Sequence, residues 1–223
     1  MTATAAPLAS LLADWGEWLP DLAGGLWTSV RLGAASLALG LPLGLLAAIG
    51  LTSGGRGARI ALTTLVELAR GVPVLVLIYL AYFGLPRAGI TLEAFAAATV
   101  AIGLSVAGYS SETFRAGLLS VGRGQRDAAA ALGLTPAKQY RLVIVPQAIR
   151  IVLPPLVGLA VQVVQLTALA FTIGLPELLG RAYNLGSITT EYLGVLLLAT
   201  VLYLAVLVPL SQLAALLARR AAP

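Results

Sequence analysis

Charged and polar side chains are rare inside the apolar stretches of this sequence, and those few are the first candidates for chemistry. Glu112 and Arg115 stand three residues apart within one long apolar run, so a helix would place them on one face. Ionisable groups inside a membrane are costly, and they tend to mark a pathway or a mutual pair. The two side chains therefore indicate either a cavity for a zwitterionic solute or a structural ion pair near one end of a helix.

Two further polar positions, Gln165 and Thr167, interrupt the apolar run that follows residue 150. They could line the same cavity, or they could form hydrogen bonds between neighbouring helices. Four side chains thus define a candidate substrate pathway: Glu112, Arg115, Gln165 and Thr167.

Residues 120–150 form a polar segment between two apolar runs. Its residues that start and end helices predict two short helices joined by a tight turn. Alanine-rich residues 124–132 favour the first helix, and Gly133 can take the left-handed conformation that ends it. Thr135 followed by Pro136 is typical of a helix start. We call residues 120–150 the elbow.

The elbow is strongly basic, and it ends near Pro146, which is expected to bend or end the second helix. A solvated charged loop is one interpretation of such a segment, and a docking site for a partner protein is the other. Its five cations stand against the single acid Asp127: Arg123, Arg126, Lys138, Arg141 and Arg150.

Several classes of chemistry are excluded by residue types that the sequence lacks. It contains no cysteine and no histidine, which removes disulfides, thiol chemistry, histidine general bases and the usual zinc sites. The only lysine, Lys138, follows Ala137, so the Gly-Lys-Ser/Thr of a phosphate-binding loop is missing. We expect no catalytic residue, no cofactor and no metal in this chain.

The elements that must position these residues are membrane-spanning helices. Of the 223 residues 59% are hydrophobic and only 10% are charged, against about 25% in a soluble domain. The mean hydropathy of +0.96 indicates an integral membrane protein. The net charge of +5 is then explained by loops on the cytoplasmic side, and nucleic-acid binding is not expected.

Apolar runs predict an all-α protein with five membrane spans, at residues 22–51, 72–85, 92–119, 151–175 and 191–217. Residues 1–21 are predicted to form an extracytoplasmic interfacial segment, with an ordinary lead-in as the alternative. Residues 22–218 form the transmembrane domain that contains the elbow. Within the first span, Gly40 and Gly44 could permit close helix contact, or Pro42 between them could kink the helix.

Charge predicts the orientation. The loop at 52–59, the elbow and the C-terminus hold most of the cations, whereas the other loops are acidic. The positive-inside rule therefore places the N-terminus outside and both the elbow and the C-terminus in the cytoplasm.

The elbow resembles the EAA motif of ABC importer permeases, whose consensus is Glu-Ala-Ala, three residues, Gly, nine residues and Ile-x-Leu-Pro. Here Asp127-Ala128-Ala129, Gly133 and Val143-Ile-Val145-Pro146 keep that spacing without a gap, with Asp127 in place of the glutamate. The flanking residues are similar to the polar amino-acid uptake branch, and the likeness covers about residues 25–218. The flanks are Arg70-Gly71-Val-Pro73, Tyr82-Phe83-Gly84-Leu85-Pro86, Glu112-Thr-Phe-Arg115-Ala-Gly117 and Glu177-Leu178.

This resemblance implies a type I ABC importer permease fold in a bacterial inner membrane, embedded in lipid. It implies a homo- or heterodimer of permeases, a dimer of ATPase subunits that bind ATP and Mg, and an extracytoplasmic solute-binding protein. The elbow would be the coupling helix that docks on the ATPase. Its coupling residues would be Arg123, Arg126, Asp127, Ala128, Ala129, Gly133 and Pro146.

One departure from the family pattern bears on the solute. Gln165-Leu-Thr167-Ala-Leu169 stands where the family often has Lys-Asp-Thr-Ser-Leu, so a carboxylate that could hold an ammonium group is missing. This chain could therefore be half of a heterodimer, or it could carry a compatible solute. The alternatives of another class are a non-transporting scaffold or sensor, and an autonomous channel or secondary carrier.

Overall fold

The computed structural model describes residues 14–221, and every regular element in that range is helical. The predicted all-α class is confirmed for this part of the chain. The helices are α1 (Trp15–Ser53), α2 (Arg56–Gly71), α3 (Val74–Tyr79), α4 (Ala94–Ser120), α5 (Arg123–Ala131), α6 (Pro136–Gln139), α7 (Val145–Leu166), α8 (Leu178–Thr189) and α9 (Tyr192–Ala221). Tighter or wider helical turns adjoin them at Leu80–Gly84, Leu85–Ala88, Tyr140–Ile144 and Thr167–Ile173.

Four stretches are long and apolar enough to cross a membrane on their own: Trp15–Thr52, Ala94–Ser120, Pro136–Ile173 and Tyr192–Arg220. Arg56–Gly71 and Val74–Ala88 meet the same test only as a pair, which is bent by 101°. Counted as one broken span, the pair completes the five predicted spans.

The second predicted span, 72–85, coincides with α3 and the helical turns that follow it, and α2 precedes it across a sharp bend. Pro73 is the N-cap of α3, and Val72 before it is extended, with φ −80° and ψ 128°. A residue that precedes proline is pushed out of the helical region, and proline itself has no N–H for the helix ladder. The bend therefore has a local cause.

The first helix is longer than predicted at its N-terminal end. It begins at Trp15 and continues past Leu22 without interruption, so no structural boundary separates residues 14–21 from the transmembrane domain. Residues 1–13 lie outside the described part of the chain, and the interfacial role of 1–21 stays a prediction. With 39 residues, α1 is about 58 Å long, nearly twice the hydrocarbon thickness of a bilayer.

Close contact between α1 and α4 explains the paired glycines of the first span. A Cβ on Gly40 would lie 2.5 Å from the Gly103 carbonyl and from Val106, and one on Gly44 would collide with Ser110. The contact is thus made within this chain, and Pro42 lies inside α1 without ending it.

Two apolar clusters hold the bundle together, and a third, small one of Val121, Ile144 and Ala148 packs the elbow. The larger contains fully buried Leu32 of α1, Ile78 of α3, Ile102 of α4 and Val163 of α7. The other joins α1, α8 and α9 near the N-terminal end of α1, through Trp18, Leu22, Leu178, Val195 and Leu198.

Candidate functional site

Polar side chains of α4 and α7 line an open cavity of about 360 Å³. Ser105 and Tyr109 come from α4, and Gln162 and Gln165 come from α7. The side chains of Tyr109, Gln162 and Gln165 are exposed on the surface of this chain. Exposed amides are unfavourable against lipid tails, so this surface faces water or another protein within the membrane. We call these four residues the polar strip.

The predicted pair of Glu112 and Arg115 forms an ion pair on α4. The Arg115 Nη2 donates to Glu112 Oε2 at 2.7 Å, and Nε donates to the same oxygen at 3.2 Å. Both side chains are partly exposed. Glu112 follows Tyr109 by three residues, so the pair continues the polar strip by about one helical turn.

Of the two predicted polar positions on α7 and the turn after it, the structure brings only Gln165 to the cavity. Thr167 is completely buried, and its hydroxyl donates to the Val164 carbonyl at 2.6 Å, one turn back along its own helix. Thr167 therefore satisfies its polar group locally.

Glu67 and Arg70 lie on α2, and the structure places Arg70 beside Tyr109 of the polar strip. Their side chains approach to 3.6 Å, and the Arg70 guanidinium lies 5.5 Å from the centre of the Tyr109 ring. Arg70 packs on Gly108, where a Cβ would lie only 2.8 Å from its Cγ. The buried Arg70 Nε has no hydrogen-bond partner among the described residues.

Arg70 contacts Gly108 near the middle of α4, one of the four stretches that are long and apolar enough to cross a membrane. A charged pair beside such a helix is a functional candidate for the same reason as Glu112 and Arg115. One signal in the sequence marked it: an arginine directly before the Gly-Val-Pro that breaks the span.

The turn of the elbow has the predicted conformation. Gly133 has φ +73°, its N–H donates to the Ala130 carbonyl at 2.9 Å, and the Leu134 N–H donates to the Ala129 carbonyl at 3.1 Å. These two bonds form a Schellman motif, which requires a left-handed residue at the position of Gly133.

The second half of the elbow starts as predicted. Thr135 is the N-cap and Pro136 the first residue of α6, although the Thr135 hydroxyl makes no capping bond. Pro146 does not end the second helix, since the helical stretch Pro136–Ile173 continues through it. A wide turn at Tyr140–Ile144 precedes it, closed by the Val145 N–H on the Tyr140 carbonyl.

The elbow presents some of its predicted residues outward and holds others inward. Arg123, Asp127 and Ala128 are exposed, whereas Ala129 is buried. Arg126 is half-buried, and its Nη2 donates to the Leu118 carbonyl at the end of α4 at 2.8 Å. Arg126 thus fixes α5 to the preceding span.

A buried carboxylate, Glu177, joins three helices on the other side of the molecule. Its oxygens accept hydrogen bonds from the Leu179 and Gly180 N–H groups of α8 at 3.0 and 2.7 Å. The Ser29 hydroxyl of α1 and the Tyr203 hydroxyl of α9 donate to it at 3.1 and 3.0 Å. Glu177 therefore caps α8 and ties it to the first and last spans.

Glu177 has no cationic partner among the described residues, because Arg181 on the same helix pairs with Asp21 of α1. Burial raises the pKa of the Glu177 carboxyl, and its four hydrogen bonds oppose that rise without cancelling it. In the sequence, Glu177 is part of a flank of the family motif. Its position directly before an apolar helix was a signal for an N-cap.

Comparison with known proteins gives a consistent family. Residues 40–223 match the model described as binding-protein-dependent transport system inner membrane component. The chain is 34% identical over 168 residues to the L-cystine transport system permease protein TcyB of Bacillus subtilis (strain 168), covering 75% of this chain and 72% of that protein. It is 32% identical over 186 residues to the arginine transport system permease protein ArtQ of Bacillus subtilis (strain 168), covering 83% and 85%.

A further relative is covered less completely: the probable amino-acid ABC transporter permease protein YckA of Bacillus subtilis (strain 168) is 38% identical over 141 residues, 63% of this chain and 62% of that protein. Among solved structures, the crystal structure of an amino acid ABC transporter with histidines matches with a TM-score of 0.86 and 30% identity, covering 93% of this chain and 97% of that chain. An inward-facing MetNI methionine ABC transporter matches with a TM-score of 0.68, 21% identity and coverage of 91% and 96%, and this likeness concerns the fold alone.

Proposed function

The chain belongs to the family of binding-protein-dependent transport system inner membrane components, and from that membership we propose that it forms the translocation pathway of an ATP-driven importer for polar amino acids or similar small zwitterionic solutes. Its fold is that of ABC importer permeases, as the sequence predicts. It is a multi-pass membrane protein and a transporter subunit rather than an enzyme.

The observation that carries the proposal is the exposed part of the polar strip, which is Tyr109, Gln162 and Gln165. Large apolar side chains are exposed elsewhere on the same helices, for example Leu104 of α4 and Ile149 of α7, as a lipid-facing surface requires. Tyr109, Gln162 and Gln165 interrupt that surface. A second permease subunit, identical or different, would cover them, and the solute would pass between the two strips.

The polar groups of the strip suit a zwitterionic solute, which carries one positive and one negative charge. Amides and a phenol hydroxyl can donate to a carboxylate and accept from an ammonium group. Nearby, Arg70 adds a guanidinium group and Glu67 adds a carboxylate. Relatives named for L-cystine and arginine transport support the class of polar amino acids. Glu112, Arg115 and Gln165 are the predicted pathway residues adjacent to this surface, with Thr167 behind them.

Energy would come from partners. The exposed face of α5, with Arg123, Asp127 and Ala128, would dock in a cleft of an ATPase subunit, and the ATPase dimer would bind ATP and Mg. Buried Ala129, the Arg126 contact and the Gly133 turn would transmit the motion to α4 and α7. The elbow and C-terminus would lie in the cytoplasm, and a solute-binding protein would deliver the solute outside. The chain itself would hold no cofactor.

The test uses two glycines that both have a left-handed backbone and open space around an added Cβ, Gly133 of the elbow at φ +73° and Gly89 at φ +80°, outside the elbow. In the complex reconstituted with its ATPase and binding protein, Gly133→Val should uncouple, because a β-branched residue in the left-handed region is strained. Solute-stimulated ATP hydrolysis and uptake should fall on the order of tenfold, which corresponds to the 1–2 kcal/mol of that strain. Gly89→Val, the control, introduces the same strain away from the coupling helix and should retain both.

Other outcomes would favour the alternatives. If no ATPase accompanies correctly inserted wild type, the elbow is not a coupling element, and autonomous transport or scaffolding takes its place. If the ATPase accompanies the chain but no solute stimulates it, a scaffold or sensor is the better description.

A further inference from the structure

A second polar feature lies away from the polar strip, where α7 and α9 pack side by side. A shallow groove of about 190 Å³ is lined by Arg150 and Leu153 of α7 and by Leu217 and Arg220 of α9. The two helices run in opposite directions, since α7 leaves the elbow and α9 returns to the same side of the membrane. Each helix contributes one arginine and one leucine.

The two arginines in this groove have no acidic partner among residues 14–221, where the ion pairs involve Arg70, Arg115 and Arg181 instead. Both Arg150 and Arg220 are exposed. Two guanidinium groups on one small groove repel each other unless an anion lies between them. Arginine binds phosphate groups in a bidentate manner, so a phosphate is a suitable anion.

The order of the four residues along the membrane normal identifies the source of that phosphate. Leu153 lies three residues beyond Arg150 and Leu217 lies three residues before Arg220, so both leucines are one turn deeper in the membrane. The 30 residues of α9 span about 45 Å, longer than the hydrocarbon core, which places Arg220 at the level of the headgroups.

We propose that this groove binds an anionic phospholipid, with its phosphate between Arg150 and Arg220 and the start of an acyl chain on Leu153 and Leu217. Cationic side chains above apolar ones match the polarity of such a lipid, and a free phosphate ion would leave the leucines without a function. Basic pockets between spans on the cytoplasmic side are suited to anionic headgroups. The proposal is independent of the transported solute and of ATPase coupling.

The test measures lipid binding rather than transport. The purified importer complex is titrated in detergent with phosphatidylglycerol or with phosphatidylcholine of the same acyl chains, and bound lipid is counted by native mass spectrometry. Phosphatidylglycerol should bind about tenfold tighter or more, since each arginine near the headgroup favours an anionic lipid. Arg150→Gln/Arg220→Gln should lose this preference, and Arg150→Lys/Arg220→Lys should keep part of it.

A matched control removes the same charge on the same side but outside the groove. Arg219→Gln/Arg56→Gln should retain the preference, because neither residue lines the groove. If Arg150→Gln/Arg220→Gln and Arg219→Gln/Arg56→Gln lost the preference for phosphatidylglycerol equally, the preference would come from general electrostatic attraction, and the proposed site would be overturned. Equal binding of the two lipids by wild type would overturn it as well, even if a variant failed to fold. Displacement of the lipid by millimolar inorganic phosphate would assign the arginines to a free anion instead.

Discussion

Glu177 is a buried acid whose partners are all hydrogen-bond donors, and this arrangement has a consequence for the pH dependence of stability. Burial raises the pKa of its carboxyl in the folded protein above the unfolded value, so between the two values the folded state binds more protons. The free energy of unfolding must therefore fall as pH rises through that interval. Below the unfolded pKa the contribution is fully present.

We expect the thermal midpoint of the detergent-purified protein to decrease as pH is raised from 4 towards 8, by about 2–4 °C for each pH unit between the two pKa values. Glu177→Gln should abolish this part of the slope. Glu177→Gln should also lower the thermal midpoint near pH 4. The NH2 of the new amide would face the N–H of Gly180 or Leu179, so that two donors would oppose each other. Glu191→Gln, which changes an exposed acid on the same side, is the control. An unchanged slope in Glu177→Gln would assign the pH dependence to other groups.

Gln165 and Thr167 provide a second comparison between single residues. Replacing Gln165 by Leu removes an amide from the polar strip, so the KM for uptake should rise severalfold or more while the assembled complex remains stable. Thr167→Val removes a hydroxyl that bonds only to its own helix, so it should leave KM unchanged and lower stability by about 1 kcal/mol. Uptake kinetics and thermal midpoints distinguish the two, and equal KM values for both variants would remove Gln165 from the pathway.

These residues also show what the sequence can and cannot predict about a side chain. Gly133 was predictable, because a left-handed backbone position favours one residue type whatever surrounds it. The sequence could not tell which of Gln165 and Thr167 faces the cavity. Two residues that lie two apart on a helix point in different directions, and either direction could be the cavity. Only the positions of the other helices decide which direction is the cavity. The role of Glu177 depends on Ser29 and Tyr203, which are distant in the sequence.

The pairing of α1 with α4 is the contact that a single methyl group should disturb most clearly. Gly40→Ala would bring a Cβ to 2.5 Å from the Gly103 carbonyl, and a backbone atom cannot move aside as a side chain can. Overpacking of this kind costs about 1–3 kcal/mol. We therefore expect a lower thermal midpoint for Gly40→Ala.

Gly33 of the same helix is the matched control, because a Cβ there would have its nearest neighbours at 3.7 Å, an ordinary contact distance. Gly33→Ala should be neutral or stabilising by up to about 1 kcal/mol, since alanine favours a helix. Equal midpoints for the two variants would show that α1 can shift away from α4 at little cost.

Helix existence was largely predictable from apolar runs, and the count of five agrees once the bent pair is taken as one span. The close packing of α2 against α4 was not predictable, because Arg56, Arg59, Glu67 and Arg70 have the composition of a loop. That packing depends on contacts such as the one between Arg70 and Gly108. Composition along one helix carries no information about such a neighbour.

At the scale of the whole molecule, the proposed pathway predicts that the polar strip meets water while exposed apolar positions meet lipid, and the lack of cysteine in the sequence makes this testable. Gln162→Cys should react with a water-soluble maleimide in membranes, because a thiol in the pathway can ionise. Leu104→Cys, at an exposed apolar position of α4, should react at least about tenfold more slowly. Added solute should protect the thiol of Gln162→Cys, and equal labelling rates for the two positions would contradict a pathway at the polar strip.

The glycine contact between α1 and α4 has a mechanical consequence. The backbones meet closely at Gly40 and Gly103, and the Val106 and Leu39 side chains fill the space beside them, so the two helices should move as one rigid body. Any alternation between an outward-open and an inward-open state must then be concentrated in hinges, where the helices are interrupted. The described chain has such interruptions at Gly54–Gly55, at Val72–Pro73 and at Val121–Gly122, each of which flanks α1 or α4 or lies within the span between them. The α1–α4 pair would thus stay fixed as one rigid unit, and α2 and the elbow would move relative to it.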